Sequence, residues 1–425
     1  MITHSVPGDK SISHRLLMLA PLADGTSRID GLVASEDVRA TAAAMRSLGV
    51  TGAQVDQGGR PLEIAGPIPF GSPAVPIDCG NSGTTARLLL GLIAGHDMTA
   101  MLDGDASLRR RPMDRVVNPL RAAGAEVREL GDPGRLPLEI TGGDLRAIGH
   151  ESPIASAQVK SALLFAGLAA RVPVRVVEPA PSRDHSERLL RAMGVTVEVE
   201  PTETGQRISV ERYPDALRPL ELSVPGDFSS ASYLIALALL GGAGGGIRLE
   251  GVGLNPGRTG FLRALEAMGA SIEVVNRAEQ AGEPLGDLIA EPSALHGVEV
   301  PKDWIPALVD EVPILACIAA RTAGVTRVSG ARELRFKESD RLAALSRNLS
   351  ALGVSVQELA DGLVIEGTEA QLVGRVVTEG DHRIAMAFGI LGALPGVEID
   401  IDEPACVEVS YPGFWEDLAR IRSQA

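Results

Sequence analysis

Hydrophobic residues follow two spacings along this chain, the helical spacing of three to four residues and the strict alternation of a strand. The change from the helical to the strand spacing occurs several times. In each of five segments an amphipathic helical pattern reaches a glycine and then gives way to strand-like residues: MRSLGV at 45–50, LRAAGAEV at 120–127, LRAMGVTV at 190–197, LEAMGASI at 265–272 and LSALGVSV at 349–356. Glycine at such a place favours the left-handed backbone that ends many helices. Alternation after it predicts a strand. We therefore predict one helix–glycine–strand element five times.

The spacing of these glycines indicates a repeated unit. They stand at positions 49, 124, 194, 269 and 353, so the steps are 75, 70, 75 and 84 residues. A unit near this size fits the 425-residue chain about six times. The segment 412–421 (PGFWEDLARI) is our candidate for the helix of a sixth unit. The period exceeds that of solenoid repeats. It predicts an α/β chain of duplicated α+β units, assembled into a few domains.

Composition narrows the class of protein. The chain is 45% hydrophobic and carries a formal net charge of -15, which argues against nucleic acid as a partner despite the arginine run LRRRPMDR at 108–115. Its three cysteines, far apart, and its seven histidines show no metal-ligand spacing, so we expect no metal site. No signal peptide and no apolar run of transmembrane length are visible. We expect a soluble, cytoplasmic protein that binds no membrane.

Several predicted helices begin with a short polar segment rich in Ser, Lys and Arg. These segments are 6–15 (VPGDKSISHR), 78–87 (DCGNSGTTAR), 155–160 (ASAQVK) and 181–190 (PSRDHSERLL). Asp9 or Ser11 would cap the first of these helices. Free backbone N–H groups at a helix start favour bound anions. Each segment could also be an ordinary capped helix, but their repetition in one acidic chain favours anion recognition.

The second half of the chain adds carboxylates next to cations. Asp310 and Glu311 stand at the head of an apolar helix, and Lys337, Glu338 and Arg341 are predicted on neighbouring helical turns. The segment 379–391 places Asp381, His382 and Arg383 at another helix start. Carboxylates beside Lys and Arg can act as general acids and bases. Surface salt bridges would give the same spacing.

Taken together, these motifs resemble the 5-enolpyruvylshikimate-3-phosphate synthase family, in the same order from Pro7 to Pro412. The resemblance implies two similar domains, each of three βαβαββ units, with the active site in the cleft between them. The chain would cross between domains near Gly8 and near Val224–Ser230. The first domain would then span 9–226, and the second 1–8 together with 227–425.

The resemblance also implies roles for individual residues. The residues implied for shikimate 3-phosphate are Lys10, Ser11, Arg15, Ser156, Gln158, Ser182, Asp310 and Lys337. Those implied for phosphoenolpyruvate are Lys10, Asn81, Gly83, Thr84, Arg111, Gln158, Arg341, His382 and Arg383. Arg109 and Arg110, in the same arginine run, are not implicated.

By resemblance, the reaction is transfer of the enolpyruvyl group to the 5-hydroxyl of shikimate 3-phosphate, with release of phosphate, in aromatic amino acid biosynthesis. Asp310, Glu338 and Lys10 are the candidate catalytic residues, no cofactor is required, and we expect a monomer. Two alternatives stay open: enolpyruvyl transfer to another acceptor such as UDP-N-acetylglucosamine, and a repeat-built binding protein without activity.

Some positions depart from the family's pattern. Val409 stands about where the family often has a lysine, and Glu333 replaces an asparagine upstream of the Lys-Glu pair. The segments GDKS, SAQVK and RDHSE resemble a branch that includes enzymes tolerant of the herbicide glyphosate. Gly83 keeps the glycine that some tolerant members replace by alanine, so the sequence leaves tolerance open.

Overall fold

The structure is a computed structural model that describes residues 1–55 and 61–425, and the chain divides into two compact units. The N-terminal unit comprises Gly8–Val224 and Glu279–Glu283; the C-terminal unit comprises Met1–Pro7, Pro225–Ala278 and Pro284–Ala425. Each unit has its own core of buried aliphatic side chains. No sequence pattern predicted that Glu279–Glu283 groups with the N-terminal unit.

Short strands make up the sheets of both units. In chain order they are β1 (Ile2–His4), β2 (Gly25–Asp30), β3 (Leu62–Gly66), β4 (Ile77–Asp78), β5 (Thr99–Asp103), β6 (Glu126–Glu129), β7 (Leu138–Thr141), β8 (Ile148–Glu151), β9 (Val174–Glu178), β10 (Glu198–Pro201), β11 (Gln206–Val210), β12 (Glu221–Ser223), β13 (Ile247–Gly253), β14 (Ser271–Gln280), β15 (Glu283–Glu291), β16 (Glu299–Val300), β17 (Val325–Val328), β18 (Ser355–Leu359), β19 (Gly362–Glu366), β20 (Leu372–Val376) and β21 (Val397–Ile401).

Helices alternate with these strands. They are α1 (Lys10–Leu19), α2 (Glu36–Ser47), α3 (Gly83–Ala94), α4 (Ala106–Arg109), α5 (Asp114–Ala123), α6 (Ala157–Ala170), α7 (His185–Ala192), α8 (Phe228–Leu239), α9 (Gly260–Ala267), α10 (Val312–Ala320), α11 (Arg341–Ala351), α12 (His382–Gly392) and α13 (Phe414–Gln424). The candidate helix of the sixth unit is α13, which confirms that prediction.

One strand arrangement recurs. In the sheet of β4 to β7 the first two strands are parallel and joined by α3, and the other two form a hairpin whose last strand pairs antiparallel with the second. Four sheets have this order, β4-β5-β7-β6, β8-β9-β11-β10, β1-β13-β15-β14 and β16-β17-β19-β18. In the described part of the chain, the sheets β12-β2-β3 and β20-β21 are smaller. The βαβαββ unit implied by the resemblance is therefore present.

The predicted glycine stops are confirmed. Gly49, Gly124, Gly194, Gly269 and Gly353 all have positive φ, at 99°, 124°, 92°, 89° and 90°. A strand follows four of them shortly afterwards. The strand predicted directly after Gly49 is wrong, since residues 51–52 form a turn in which Gly52 has φ 82°.

The first helix of each repeat lies in the core. In the N-terminal unit, α3 and α6 cross so closely that a Cβ on Gly91 would lie 1.9 Å from the carbonyl oxygen of Ala162. On Gly95 it would lie 2.5 Å from that of Ala166. Two glycines four residues apart therefore let the helix backbones touch. In the C-terminal unit, α8 is buried over its whole length and packs on α10 and α12.

Candidate active site

The sequence-predicted residues gather at the starts of these core helices. In the N-terminal unit most of them lie on or just before the first turns of α1, α3 and α6, whose N-caps are Asp9, Ser82 and Ser156. In the C-terminal unit they lie just before α10, before or at the start of α11, and at the start of α12, which Asp381 caps. The unpaired N–H groups and the helix dipoles give each group a positive potential that suits anionic ligands.

The first turns of α1 hold two cations through specific partners. The ammonium of Lys10 donates to Asp37 Oδ2 at 2.8 Å, and Asp37 lies in the first turn of α2. The guanidinium of Arg15 donates from Nε to Ser186 Oγ and from NH2 to Ser161 Oγ, both at 2.8 Å. Burial lowers the pKa of Arg15 to about 10, and the nearby carboxylates counter this. Arg15 therefore stays charged at neutral pH.

Arg15 also touches the backbone of the residue predicted beside it. Its NH1 donates to the carbonyl oxygen of Ser11 at 2.8 Å. Lys10 and Ser11 open α1 and Arg15 lies on the next turn, so this contact joins the first two turns of the helix.

A second group links α3 to α6. Arg87 NH1 donates to Gln158 Oε1 at 2.8 Å, and Gln158 Nε2 donates to Thr84 Oγ1 at 2.9 Å. The close crossing of the two helices makes both contacts possible. Gly83 lies beside this chain: a Cβ there would be 2.7 Å from Arg87 NH1 and 3.2 Å from Arg111 NH1.

Two arginines of the arginine run have different surroundings. Arg111 is buried and donates from NH2 to Asn81 Oδ1, which joins it to the loop before α3. Arg109 instead pairs with Asp103 at an exposed position. The structure thus brings Asn81, Gly83 and Arg111 together and leaves Arg109 outside the group.

Ser182 lies in a more constrained setting than its sequence suggested. Its hydroxyl donates to Glu178 Oε2 at 2.7 Å, and its backbone N–H donates to Glu178 Oε1 at 3.0 Å. Lys160, only 1% exposed, lies 3.0 Å from Glu178 and 2.7 Å from Glu187. Burial alone would lower the pKa of Lys160, but Glu187 and Glu178 outweigh it and raise it.

A group of cations surrounds Asp310 in the C-terminal unit. Its carboxylate lies 3.6 Å from Lys337 Nζ, 3.6 Å from Arg341 NH1 and 3.7 Å from Arg383 NH2. Arg383 NH1 also donates to the carbonyl oxygen of Asp310 at 3.1 Å. The group therefore combines one carboxylate with three cations that can attract the phosphate or carboxylate groups of a ligand.

Arg341 joins the other residues of this group. It donates from NH2 to Glu338 Oε2 at 2.6 Å and from Nε to Asp381 Oδ2 at 2.8 Å. Burial alone would lower the pKa of Arg341, but the charges of Asp381 and Glu338 raise it. His382, 1% exposed, is the first residue of α12 and follows Asp381 directly.

The predicted helical turns around Lys337 and Glu338 are wrong. A 3₁₀ helix ends at Phe336, and α11 begins only at Arg341. Asp340 is the N-cap of α11, and its side chain accepts from Ala343 N at 3.1 Å. Lys337 and Glu338 therefore lie in the connection before α11, from which both still reach the Asp310–Arg341 group.

Three residues with clear contacts to the predicted site received no role from the sequence. Arg87, Lys160 and Asp381 each stand in a helix start with a polar segment of the kind described above. The polar segment marked each residue as part of a helix start. Its role was missed because the residue that it contacts lies far away in the sequence. Val409, at the position of the family's lysine, ends the 3₁₀ helix Pro404–Val409 and supplies no charge.

Across residues 1–55 and 61–425, no group of three or more His, Cys, Asp or Glu side chains is arranged to hold a metal ion. Within the same described residues, no helix combines the length and the apolar character needed to cross a membrane.

Comparison with known proteins identifies the family. The profile of the family described as EPSP synthase (3-phosphoshikimate 1-carboxyvinyltransferase) matches residues 3–418. The chain is 48% identical over 420 residues to the 3-phosphoshikimate 1-carboxyvinyltransferase of Synechococcus sp. (strain CC9605), covering 98% of this chain and 94% of the relative. It is also 48% identical over 418 residues to that of a Thermus thermophilus strain, covering 98% and 95%.

Solved structures agree. An EPSP synthase structure from Acinetobacter baumannii has a TM-score of 0.83 and 38% identity, covering 98% of this chain and 94% of that one. The enolpyruvyl transferase NikO from Streptomyces tendae shares the fold, with a TM-score of 0.72 at 17% identity and coverage of 99% and 94%. The fold alone therefore accommodates more than one enolpyruvyl transferase, whereas sequence identity separates them. This chain belongs to the EPSP synthase family.

Proposed function

We propose that this protein transfers the enolpyruvyl group of phosphoenolpyruvate to the 5-hydroxyl of shikimate 3-phosphate and releases inorganic phosphate. Family membership and the names of its relatives support this reaction. The observation that carries the chemistry is the position of Asp310, a carboxylate with Lys337, Arg341 and Arg383 within 3.7 Å. It combines a base with cations for phosphate and carboxylate groups.

In the N-terminal unit, Lys10, Ser11 and Arg15 hold shikimate 3-phosphate together with Ser156, Gln158 and Ser182. Ser182 donates its hydroxyl hydrogen to Glu178. It therefore offers its oxygen to a ring hydroxyl of the substrate. Phosphoenolpyruvate binds at the loop before α3. The residues that hold it there are Asn81, Gly83, Thr84 and Arg111, with Lys10 and Gln158.

In the C-terminal unit, Arg341, His382 and Arg383 hold phosphoenolpyruvate, while Asp310 and Lys337 hold shikimate 3-phosphate. As the family resemblance implies, both units act on the same pair of ligands, and ligand binding excludes water from the reacting groups. Exclusion of water would then strengthen the attraction between the arginines and the anionic groups.

The proton transfers follow from the reaction. The 5-hydroxyl oxygen adds to C2 of phosphoenolpyruvate while its proton passes to a base, for which Asp310 is placed. The methylene carbon gains a proton to become a methyl group. The C2–O bond to phosphate then breaks as that methyl group loses a proton. Glu338 and Lys10 are the groups that we assign to these transfers at carbon.

Transfer to another acceptor such as a UDP-sugar is the second candidate, and the shared fold of NikO shows why it must be tested. A cytoplasmic location and a monomeric state complete the proposal, because both ligands are small anions that require neither a membrane nor a partner chain.

Phosphorus NMR of the protein with phosphoenolpyruvate and shikimate 3-phosphate tests the reaction. We expect a new enolpyruvyl product and an equal amount of inorganic phosphate, with both reduced by about 10²-fold or more in Glu338→Ala. Arg111→Ala should raise the KM for phosphoenolpyruvate, whereas Arg109→Ala, in the same run but exposed, should not. If product forms only with UDP-N-acetylglucosamine, shikimate 3-phosphate is not the acceptor. If no product forms with either acceptor, the proposed enolpyruvyl transfer is wrong.

A further inference from the structure

Arg87 has contacts to the predicted site, but the reaction above assigns it no role. It lies on α3 one turn after Gly83 and is partly exposed. A Cβ on Gly83 would lie 2.7 Å from Arg87 NH1, so the glycine leaves room for this guanidinium beside the loop to which we assign phosphoenolpyruvate. The two acceptors that the guanidinium contacts indicate what it does there.

The crossing of α3 and α6 determines which residue faces Arg87. A Cβ on Gly91 would lie 1.9 Å from the carbonyl oxygen of Ala162, so the two helices touch at these residues. One turn earlier on both helices, Arg87 on α3 meets Gln158 on α6. Arg87 NH1 donates to Gln158 Oε1 at 2.8 Å, and NH2 donates to the carbonyl oxygen of Pro112 at 3.0 Å. The guanidinium is therefore held between two acceptors.

The contact with Arg87 sets the orientation of the Gln158 amide. A guanidinium only donates hydrogen bonds, so the amide atom that faces it must be the oxygen. In the opposite orientation two N–H groups would face each other, and the hydrogen bond would be lost. The amide nitrogen, Nε2, therefore faces Thr84, and it donates to Thr84 Oγ1 at 2.9 Å.

This orientation leaves two hydrogen-bond donors at the predicted site. The amide nitrogen of Gln158 carries two hydrogens, and Thr84 accepts one of them. Because the oxygen of Thr84 accepts in this contact, its own hydroxyl hydrogen can still be donated. Both residues are partly exposed, so a ligand at the loop before α3 can reach them. Two donors suit the phosphate and carboxylate groups of phosphoenolpyruvate, whose charged oxygens are acceptors.

We propose that Arg87 is a positioning residue that fixes the Gln158 amide with its N–H groups toward Thr84 and phosphoenolpyruvate. This inference rests on the proposed function, since it uses the assignment of Gln158 and Thr84 to that ligand. Arg87 acts through Gln158 and does not touch the ligand. Without Arg87 the amide can rotate by half a turn, and its oxygen then accepts from Thr84 and repels the anionic ligand. One rotation therefore removes both donors.

The test is steady-state kinetics of Arg87→Met, which keeps an unbranched side chain and removes the donors. We expect the KM for phosphoenolpyruvate to rise about tenfold, with little change in kcat. The KM for shikimate 3-phosphate should rise less, because we assign Gln158 to both ligands but Thr84 only to phosphoenolpyruvate. Arg121→Met is the matched control, since Arg121 is exposed on α5 and donates to the carbonyl oxygen of Val127 and to Glu129. It should leave both KM values unchanged.

A double variant decides whether Arg87 acts through Gln158. Gln158→Ala should raise the KM for phosphoenolpyruvate, and adding Arg87→Met should raise it by less than about twofold more, because the amide that Arg87 orients is then absent. A further rise of about tenfold in the double variant would overturn the inference, since Arg87 would then act through its contact with Pro112 or on the ligand itself.

Two results with the single variant would also overturn the inference. One is an unchanged KM for phosphoenolpyruvate in Arg87→Met. The other is an equal rise of both substrates' KM with a fall in melting temperature, because that pattern indicates a loss of folding stability rather than a misoriented amide. Failure of the proposed function is distinct, because the wild-type protein would then form no product.

Discussion

Arg341 and Asp381 form an ion pair that is almost completely removed from solvent. The guanidinium donates from Nε to Oδ2 at 2.8 Å and from NH2 to Oδ1 at 3.2 Å, and the side chains are 1% and 0% exposed. Asp381 also caps α12 by accepting from Arg383 N at 3.0 Å. One carboxylate therefore holds the side chain of Arg341 and the backbone of Arg383, two of the residues that we assign to phosphoenolpyruvate.

Asp381→Asn tests this relationship. Asparagine keeps the N-cap but removes the charge, so a buried guanidinium loses part of its compensation. We expect a loss of about 3–5 kcal/mol in the free energy of unfolding, measured by urea denaturation. The KM for phosphoenolpyruvate should rise as well.

Asp340→Asn is the matched control for Asp381→Asn. Asp340 caps α11 and pairs with Arg335 at 2.8 Å, but the pair is partly exposed. Its loss should cost no more than about 1 kcal/mol. Equal losses in the free energy of unfolding of the two variants would show that the buried Arg341–Asp381 pair stabilises the fold no more than the partly exposed Arg335–Asp340 pair.

Gly83→Ala should weaken phosphoenolpyruvate binding. The added Cβ would lie 2.7 Å from Arg87 NH1, a contact that real Cβ atoms essentially never make, so the guanidinium must move. Arg87 would then shift relative to Gln158, which it contacts at 2.8 Å. We expect a several-fold rise in the KM for phosphoenolpyruvate, by steady-state kinetics, with a smaller change for shikimate 3-phosphate. Gly71→Ala, where a Cβ meets nothing within 4 Å, should leave both KM values unchanged.

The sequence predicted what depends on local backbone chemistry. The five glycine stops, the cap at Asp9 and the helix starts at Gly83 and His382 all follow from residues within a few positions of one another. Local reasoning could not distinguish Arg111 from Arg109, and only the family resemblance assigned a ligand to Arg111 and none to Arg109.

Contacts between distant segments could not be predicted in this way. Nothing near Ser182 in the sequence indicates that its hydroxyl donates to Glu178, or that Lys160 lies between Glu178 and Glu187. These contacts depend on how α6, α7 and β9 are arranged in space. Hydrophobic periodicity predicts which face of a helix is buried, but it does not predict which element packs against that face. Glu279–Glu283 is a further case, because a hairpin pattern does not specify where its turn packs.

That turn provides the third prediction. Glu283 Oε1 lies 2.6 Å from His185 Nδ1, and both side chains are buried in the N-terminal unit. The next residue, Ser186, accepts from Arg15 Nε. Glu283→Ala should therefore raise the KM for shikimate 3-phosphate and cost about 1–3 kcal/mol of stability, from kinetics and thermal unfolding. Glu279→Ala, an exposed change in the same turn, should do neither; equal effects would contradict a specific role for Glu283.

The last prediction concerns acid stability. Burial, aided by the charges of Lys10 and Arg15 on α1, holds the pKa of His14 well below its usual 6.5. The carboxylate of Asp37, on the packed helix α2, is held by Lys10. The neighbouring polar groups are neutral hydroxyls: Thr41 Oγ1 on α2 lies 2.6 Å from His14 Nδ1, and Thr85 Oγ1 on α3 lies 2.6 Å from Thr41 Oγ1. Below pH 6.5 the histidine is protonated in the unfolded chain but not in the folded one, so the free energy of unfolding decreases as the pH is lowered through that range.

Comparison of variants isolates the contribution of His14 to this fall. Unfolding free energies of the wild type and His14→Asn, measured from pH 7 to pH 5, should converge by about 1.4 kcal/mol per pH unit below 6.5, because the variant has no ring to titrate. His150→Asn removes a half-buried histidine whose pKa burial lowers less strongly, and its curve should follow the wild type more closely. If the wild type and His14→Asn lose stability in parallel, the folded protein accepts a proton at His14.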